Sequence, residues 1–235
     1  MRLYVMQLGV ITGGSPVPGY LIQTDDGANV LVDTGFPRRM VGVKRDPRQD
    51  RAAAEEEDYV VNRLAEIGVA PGDIRYLVAT HFDVDHAGGH DEFPEAEVVV
   101  QRAHYEDAAE NPRFDGTREN WHHPGLRYRL IDGDTELLPG IELIETGGHV
   151  VGHQSVLVRL PKTGLVLLAI DAIPRAAYSD PDTRPIAPYD ADEAAVRAST
   201  RKLVDLARRE GVTLTVYGHD PEQWQTLKKA PEFYE

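Results

Sequence analysis

The sequence predicts an α+β fold of two sheets flanked by helices. Strand-like segments come first, a helix interrupts them, further strands follow, and a second long helix precedes the last strand. Some of these strands are continuous apolar runs, the pattern of strands buried on both faces. Histidine and aspartate recur where such runs end, and open α/β sheets hold their sites at the carboxyl ends of strands. The 235 residues suffice for one large domain with a substantial core, and residues 1–235 are read as that single domain.

Leu3 to Ile11 and Tyr20 to Gln23 alternate or run apolar around Gly13-Gly14-Ser15-Pro16-Val17-Pro18-Gly19, which reads as a hairpin with a wide loop. Ala28 to Val32 supplies a strand closed by Asp33-Thr34-Gly35. Phe36 to Arg51 shows no period, and a connection this long in a compact domain is usually functional or unstructured. Ala52 to Asp58 leads into a helix with Val60, Val61, Leu64, Ala65 and Ile67 at core-facing spacing, stopped by Gly68. Ile74 to Ala79 reads as a buried parallel strand. Ala96 to Gln101 is strand-like and Ala103 to Ala109 opens a helical stretch, with His104 and Tyr105 as packing or surface residues. Leu130 to Asp132, Ile141 to Glu145 and Ser155 to Leu160 are successive strands, with turns at Gly133-Asp134 and Pro139-Gly140. Gly164 to Ile170 is a central strand, Ala191 to Arg209 a helix, and Val212 to Tyr217 the last strand.

The chemistry concentrates in Thr80-His81-Phe82-Asp83-Val84-Asp85-His86-Ala87-Gly88-Gly89, directly after the buried run. Imidazole nitrogen and carboxylate oxygen bind zinc at roughly 2.0–2.2 Å, and a metal with an open position lowers the pKa of bound water to about 7. Helix capping would account for one of the carboxylates, but not for four ligand groups together. Gly88 and Gly89 would let backbone pass close to an ion. His149, Asp171 and His219 each follow an expected strand and extend the candidate set. Adjacent His122 and His123 do not face one ion. His153 reads as a structural hydrogen-bonding residue, and His90 as a neighbour of the site or a surface residue.

Against 25 basic residues stand 39 acidic ones, a formal charge of -14, which repels phosphate backbones and anionic membrane surfaces. Neither nucleic acid nor a membrane is expected as a partner. Without cysteine, any metal must be held by His, Asp and Glu. The amino terminus lacks a long apolar core and no later stretch approaches about 18 uncharged apolar residues, so a cytoplasmic protein is the expectation.

The cluster from His81 to His86 resembles the HxHxDH signature of the metallo-β-lactamase superfamily. Its neighbours resemble the N-acyl homoserine lactone lactonase branch: Leu31-Val32-Asp33-Thr34-Gly35, Gly147-Gly148-His149-Val150-Val151-Gly152-His153-Gln154-Ser155, Ile170-Asp171-Ala172 and Gly218-His219-Asp220-Pro221-Glu222-Gln223. The resemblance implies a four-layer αββα sandwich, with residues 36–58 as an insertion that borders the substrate pocket and contributes to a homodimer contact. It implies Asp33 behind the ligands, orienting a histidine. It further implies two divalent ions, with His81, Asp83 and His149 on the first, Asp85, His86 and His219 on the second, and Asp171 between them.

Zinc is the first expectation for both. Asp83 stands where the family has histidine, and a shorter, harder, anionic ligand shifts the first position toward iron, manganese or cobalt. Asp83 could bind directly, bind through water, or leave the first ion weakly held, and direct binding in a mixed or iron-containing centre is the expectation.

The implied activity is opening of the lactone ring of N-acyl homoserine lactones, a quorum-quenching reaction on a small-molecule substrate. Two ions about 3.5–4 Å apart would share a hydroxide, and Asp85 would shuttle a proton to the ring oxygen. Members of this branch commonly place a tyrosine three residues after the bridging aspartate. Here that residue is Pro174, so Tyr178 or Tyr189 would substitute. Val84, Met40, Val43, Phe114 and Trp121 are candidates for an acyl-chain pocket, since ligand clefts are mainly apolar. The alternatives are another lactone, ester or thioester hydrolase of the same superfamily, an iron-containing redox protein, or a non-catalytic relative.

Overall fold

The computed structural model describes residues 1–42 and 52–235. The first sheet opens with β1 (Arg2–Val10), β2 (Pro16–Gln23) and β3 (Asn29–Val32) as antiparallel neighbours. It continues with β4 (Ile74–Val78), β5 (Glu97–Gln101) and β6 (Arg127–Ile131), each parallel to the strand before it. The crossovers carry α1 (Val60–Glu66) before β4, and α2 (Arg102–Glu110) and α3 (Arg118–Trp121) before β6. In the second sheet β7 (Thr135–Leu138), β8 (Ile141–Glu145), β9 (Gln154–Leu160) and β10 (Gly164–Ile170) run antiparallel in turn. After α4 (Glu193–Glu210), β11 (Leu214–Tyr217) returns parallel to β10, and α5 (Pro221–Trp224) follows.

Side-chain alternation along the strands builds the layers. From β1, Leu3 and Val5 join Val156, Val158, Val166 and Leu168 in the core between the sheets. Tyr4, Met6 and Leu8 of the same strand belong instead to the core that α1 covers with Val60 and Leu64. On the far side, Leu157, Leu165 and Leu167 pack with Leu203 of α4. Helix, sheet, sheet, helix is the αββα sandwich. The long helix is closed at both ends by local chemistry: the Asp192 carboxylate accepts from Ala195 N–H at 2.9 Å, and Gly211 takes a left-handed φ of 68°.

Three local expectations change. Pro16-Val17-Pro18-Gly19 belongs to β2 rather than to a wide loop, because β3 pairs only from Tyr20 onward and this half of the strand has β1 alone beside it. Proline is tolerated where one side of a strand carries no ladder. Residues 135–138, expected outside the strands, form the short edge strand β7, ordered by its pairing with β8. Finally, β6 starts at Arg127 rather than Leu130, and Arg129 pays for its place in a strand by stacking over Tyr76 at 5.3 Å and pairing with Glu97.

The described ends of segment 36–58 fold against β1 and each other. Gly42 N–H donates to Ala54 O at 2.9 Å, and Ala53 exchanges backbone hydrogen bonds with Val10 at 2.8 and 2.9 Å. Met40, expected in the pocket, packs partly buried on the α1 side of the first sheet, and Val43 lies outside the described residues. Gly88 also has a different reason from the one expected. Its N–H donates to Gly35 O at 2.8 Å, and a Cβ there would stand 2.0 Å from Pro37 N. The residue permits a crossing of two backbone segments, not the approach of backbone to an ion.

Gly88→Ala is accordingly expected to destabilise the fold by about 2 kcal/mol or more in urea unfolding. Gly72→Ala, where a Cβ meets nothing within 4 Å, is expected to stay within about 0.5 kcal/mol of the parent. Equal effects would show that the crossing is not the constraint.

Candidate metal centre

All seven expected ligand residues come together at one end of the sandwich, each on the turn that follows a strand. His81, Asp83, Asp85 and His86 follow β4, His149 follows β8, Asp171 follows β10 and His219 follows β11. Asp171 lies between the two sets. Its Oδ2 is 3.3 Å from His149 Nε2 and 3.8 Å from His81 Nε2, while its Oδ1 is 3.0 Å from His219 Nε2 and 3.7 Å from His86 Nε2. Asp83 Oδ2 stands 3.3 and 3.2 Å from His81 Nε2 and His149 Nε2. Asp85 Oδ2 stands 3.7 and 3.8 Å from His86 Nε2 and His219 Nε2.

Hydrogen-bond counting fixes the tautomers. Asp33, buried and held at a φ of 59°, accepts from Thr80 N–H at 2.9 Å and from the Thr80 hydroxyl at 2.7 Å. That hydroxyl has no second proton, so His81 Nδ1–H must be the donor in its 3.0 Å contact with Thr80 Oγ1. His86 Nδ1–H donates to the same Asp33 carboxylate at 2.8 Å. His149 Nδ1–H donates to Asp190 at 2.9 Å, and His219 Nδ1–H to the Pro16 carbonyl at 2.8 Å. All four imidazoles therefore turn an Nε2 lone pair toward Asp171 and its neighbours.

Lone pairs aimed at carboxylate oxygens across 3.0–3.8 Å repel unless a cation or protons intervene. The Nε2 atoms of His81 and His86 are buried without a hydrogen-bond partner. The titration behaviour carries the same message. Burial opposes charge on His86 and His149, but Asp85, Asp171 and Asp33 push His86 up to about 10, while Asp190, Asp83 and Asp171 push His149 up to about 9. Burial and the neighbouring His86 push His81 down to about 3. Three groups within this cluster, His81-Asp83-His149, His81-His86-Asp171 and Asp85-His86-His219, have the spacing to hold a cation. The donor set, imidazole nitrogen and carboxylate oxygen without sulfur, suits a divalent ion of zinc or harder character.

Backbone strain is stored beside these groups. Asp33 and Ile170, the residue before Asp171, hold left-handed φ values of 59° and 52°, conformations that cost about 1–3 kcal/mol each outside glycine. Gly218 lets β11 end close to β10, because a Cβ would lie 2.5 Å from Ile170 O and 2.8 Å from Asp171 Oδ1. His219 is thereby set beside Asp171.

Other candidates separate. Phe114 and Trp121 do not wall a cleft: they are 1% and 0% exposed. Trp121 stacks on Phe82 at 4.4 Å, which supports the ligand turn from beneath. Val84 is exposed on that turn, while His122 and His123 are exposed outside the cluster. His90 is buried edge-on to Phe82 at 5.9 Å, and His153 is buried with its ring 2.8 Å from Thr146 Oγ1. Tyr178 and Tyr189 line a cavity of about 180 Å³ together with His149, Asp171, Pro174 and His219.

Two roles were not expected, that of His104, anticipated only as a packing or surface residue, and that of Arg113. His104 accepts from Phe82 N–H at 2.9 Å and donates to Val151 O at 2.8 Å, so it ties the His81–His86 turn to the turn bearing His149. Burial holds its pKa down to about 4, which keeps the accepting nitrogen free of a proton. Arg113 reaches Asp83 from the 3₁₀ turn Pro112–Phe114. Neither has a sequence signal, since both act through contacts far along the chain.

The sequence profile of the metallo-beta-lactamase superfamily matches residues 12–219. An N-acyl homoserine lactonase from a Bacillus species is 35% identical over 224 residues, 93% of this chain and 86% of that protein. The N-acyl homoserine lactonase AttM of Rhizobium johnstonii is 34% identical over 266 aligned residues, 100% of this chain and 98% of that one. The chain belongs to the metallo-beta-lactamase superfamily, in its N-acyl homoserine lactonase branch. Within the superfamily, a solved N-acyl homoserine lactone hydrolase with N-hexanoyl-L-homoserine bound at its catalytic metal centre superposes with a TM-score of 0.87. It shares 30% identity and covers 99% of this chain and 98% of its own.

If Asp33 orients His81 and His86, Asp33→Asn should weaken divalent-ion binding about 10–100-fold with the far-UV circular dichroism unchanged. Competition with a chromophoric chelator measures this. Unaltered affinity would remove Asp33 from that role.

Proposed function

We propose that this centre hydrolyses the lactone ring of N-acyl homoserine lactones. The observation that carries the proposal is Asp171, with one carboxylate oxygen toward His81 and His149 and the other toward His86 and His219. Relatives that align along most of this chain are named for the same hydrolysis, and a structural neighbour holds its ring-opened product at a metal centre. Divalent ions held here, with zinc first among the candidates, would polarise the ester carbonyl and make a water nucleophilic near neutral pH.

The chain's own residues then divide the work. Asp85 faces His86 and His219 through Oδ2 while its side chain stays 14% exposed, so its carboxylate can take the proton of the attacking water and return it to the leaving ring oxygen. Pro174 offers no hydroxyl where the branch commonly has one, and the phenols of Tyr178 and Tyr189 line the same cavity. Burial, then Asp171 and Asp190, raise the pKa of Tyr189, which keeps its phenol protonated as a donor to the substrate carbonyl. The cavity of about 180 Å³ also borders Asp171, His149 and His219, so a substrate in it would lie against the centre. Among the described residues no helix is long and apolar enough to cross a membrane.

Proton release on a long-chain N-acyl homoserine lactone and on a plain γ-lactone, before and after chelation, tests this reading. Hydrolysis should favour the acylated substrate and vanish with the metal, and Asp85→Asn should lower kcat about 100-fold or more. Chelator-resistant turnover, or turnover of the plain lactone alone, would move the assignment to another ester hydrolase of the superfamily.

A further inference from the structure

The two halves of the centre differ in what already satisfies their lone pairs. At the first, Arg113 Nε donates to Asp83 Oδ1 at 2.7 Å and Nη2 donates to Asp83 Oδ2, a two-pronged clasp on one carboxylate. The same Nη2 lies 3.0 Å from His149 Nε2. With its Nδ1 proton on Asp190, the neutral ring of His149 offers one lone pair at Nε2, whereas in the charged ring Nε2–H donates to Asp83 Oδ2 at 3.2 Å instead; an ion binds only the neutral form. That lone pair accepts from Arg113 or binds an ion, and it cannot do both. Arg113 Nη1 is held in turn by the carbonyls of Tyr189 and His149, so the guanidinium is fixed from behind. At the second half no arginine or lysine bonds to Asp85, His86 or His219 among the described residues, and His86 Nε2 is buried with no partner, as His81 Nε2 is at the first.

Charge points the same way. Asp83 brings a negative charge where the resembled family has a neutral imidazole, and Arg113 cancels it. An ion at the first half would have to displace the guanidinium from His149 and remain next to its charge, in surroundings that screen poorly.

Resting on the reading of this centre as a divalent-metal site, we propose that Arg113 takes the place of the first ion. The chain then retains one tightly bound divalent ion, held by Asp85, His86, His219 and Asp171. The guanidinium of Arg113 supplies the positive charge on the His149 side of the cavity, and Asp83 acts as its anchor rather than as a ligand.

Zinc stoichiometry tests this without any substrate. Full-length protein stripped by a chelator and titrated with zinc should bind one equivalent tightly, with any second equivalent about 100-fold weaker or more. Calorimetry gives the affinities and elemental analysis after gel filtration gives the count. Arg113→Gln should raise the count to two, and the pair Asp83→His with Arg113→Gln should do so with closer affinities. Cobalt in place of zinc should show one set of d–d absorption bands in the parent and two in the variants. Two equivalents of comparable affinity in the parent, or one in Arg113→Gln, overturn the proposal. Because the parent alone decides the first of these, a poorly folded variant does not rescue it. No bound zinc at all would overturn the metal-centre reading as well. One bound zinc without lactone turnover would leave the role of Arg113 standing and remove the substrate assignment.

Discussion

The Asp33 carboxylate is the constraint behind the candidate centre. Buried, on a left-handed backbone at the end of β3, it accepts two hydrogen bonds from Thr80 and one from His86, at the two ends of the ligand turn. Through the Thr80 hydroxyl it decides which nitrogen of His81 carries the proton, and directly it decides the same for His86. Both Nε2 atoms are thereby turned inward as lone pairs. The parallel register of β3 and β4, with Val32 opposite Val78, makes this reach possible, and Asp33 N–H itself bonds to Val78 O at 3.1 Å. Sheet pairing, tautomer choice and ligand direction are one chain of cause.

The same economy explains why strain is tolerated. Asp33 and Ile170 each occupy a backbone region that costs about 1–3 kcal/mol, and each sits on or beside a group aimed at the centre. The core the two sheets share, and the core each sheet forms with its own helices, supply the rigidity that holds them there.

The framework was readable from residue order where burial acts on both faces of a strand. Ile141 to Glu145 and Gly164 to Ile170 have the expected limits, and Ile74 to Ala79 differs by one residue. The seven ligand candidates were readable because their chemistry is unusual at such spacing and because turns after strands collect at one end of a sandwich. Illegible were the features that depend on partners far along the chain. β7 is too short to show a period and exists through β8. Phe114 and Trp121 looked like pocket walls since apolar character does not say which side of a turn a ring will face. Arg113, thirty positions from Asp83, gives no local sign that its guanidinium will clasp that carboxylate.

The ligand candidates are divided between the halves of the sandwich: His81, Asp83, Asp85 and His86 extend from the first sheet, and His149, Asp171 and His219 from the second. His104 adds a bond across the same seam. A cation gathered by both halves binds the docked state and not the separated one, so by mass action its affinity becomes cohesion between the sheets. The catalytic end of the molecule would then double as a buckle, and depriving the cell of the ion would loosen the architecture at the edge where the chemistry occurs.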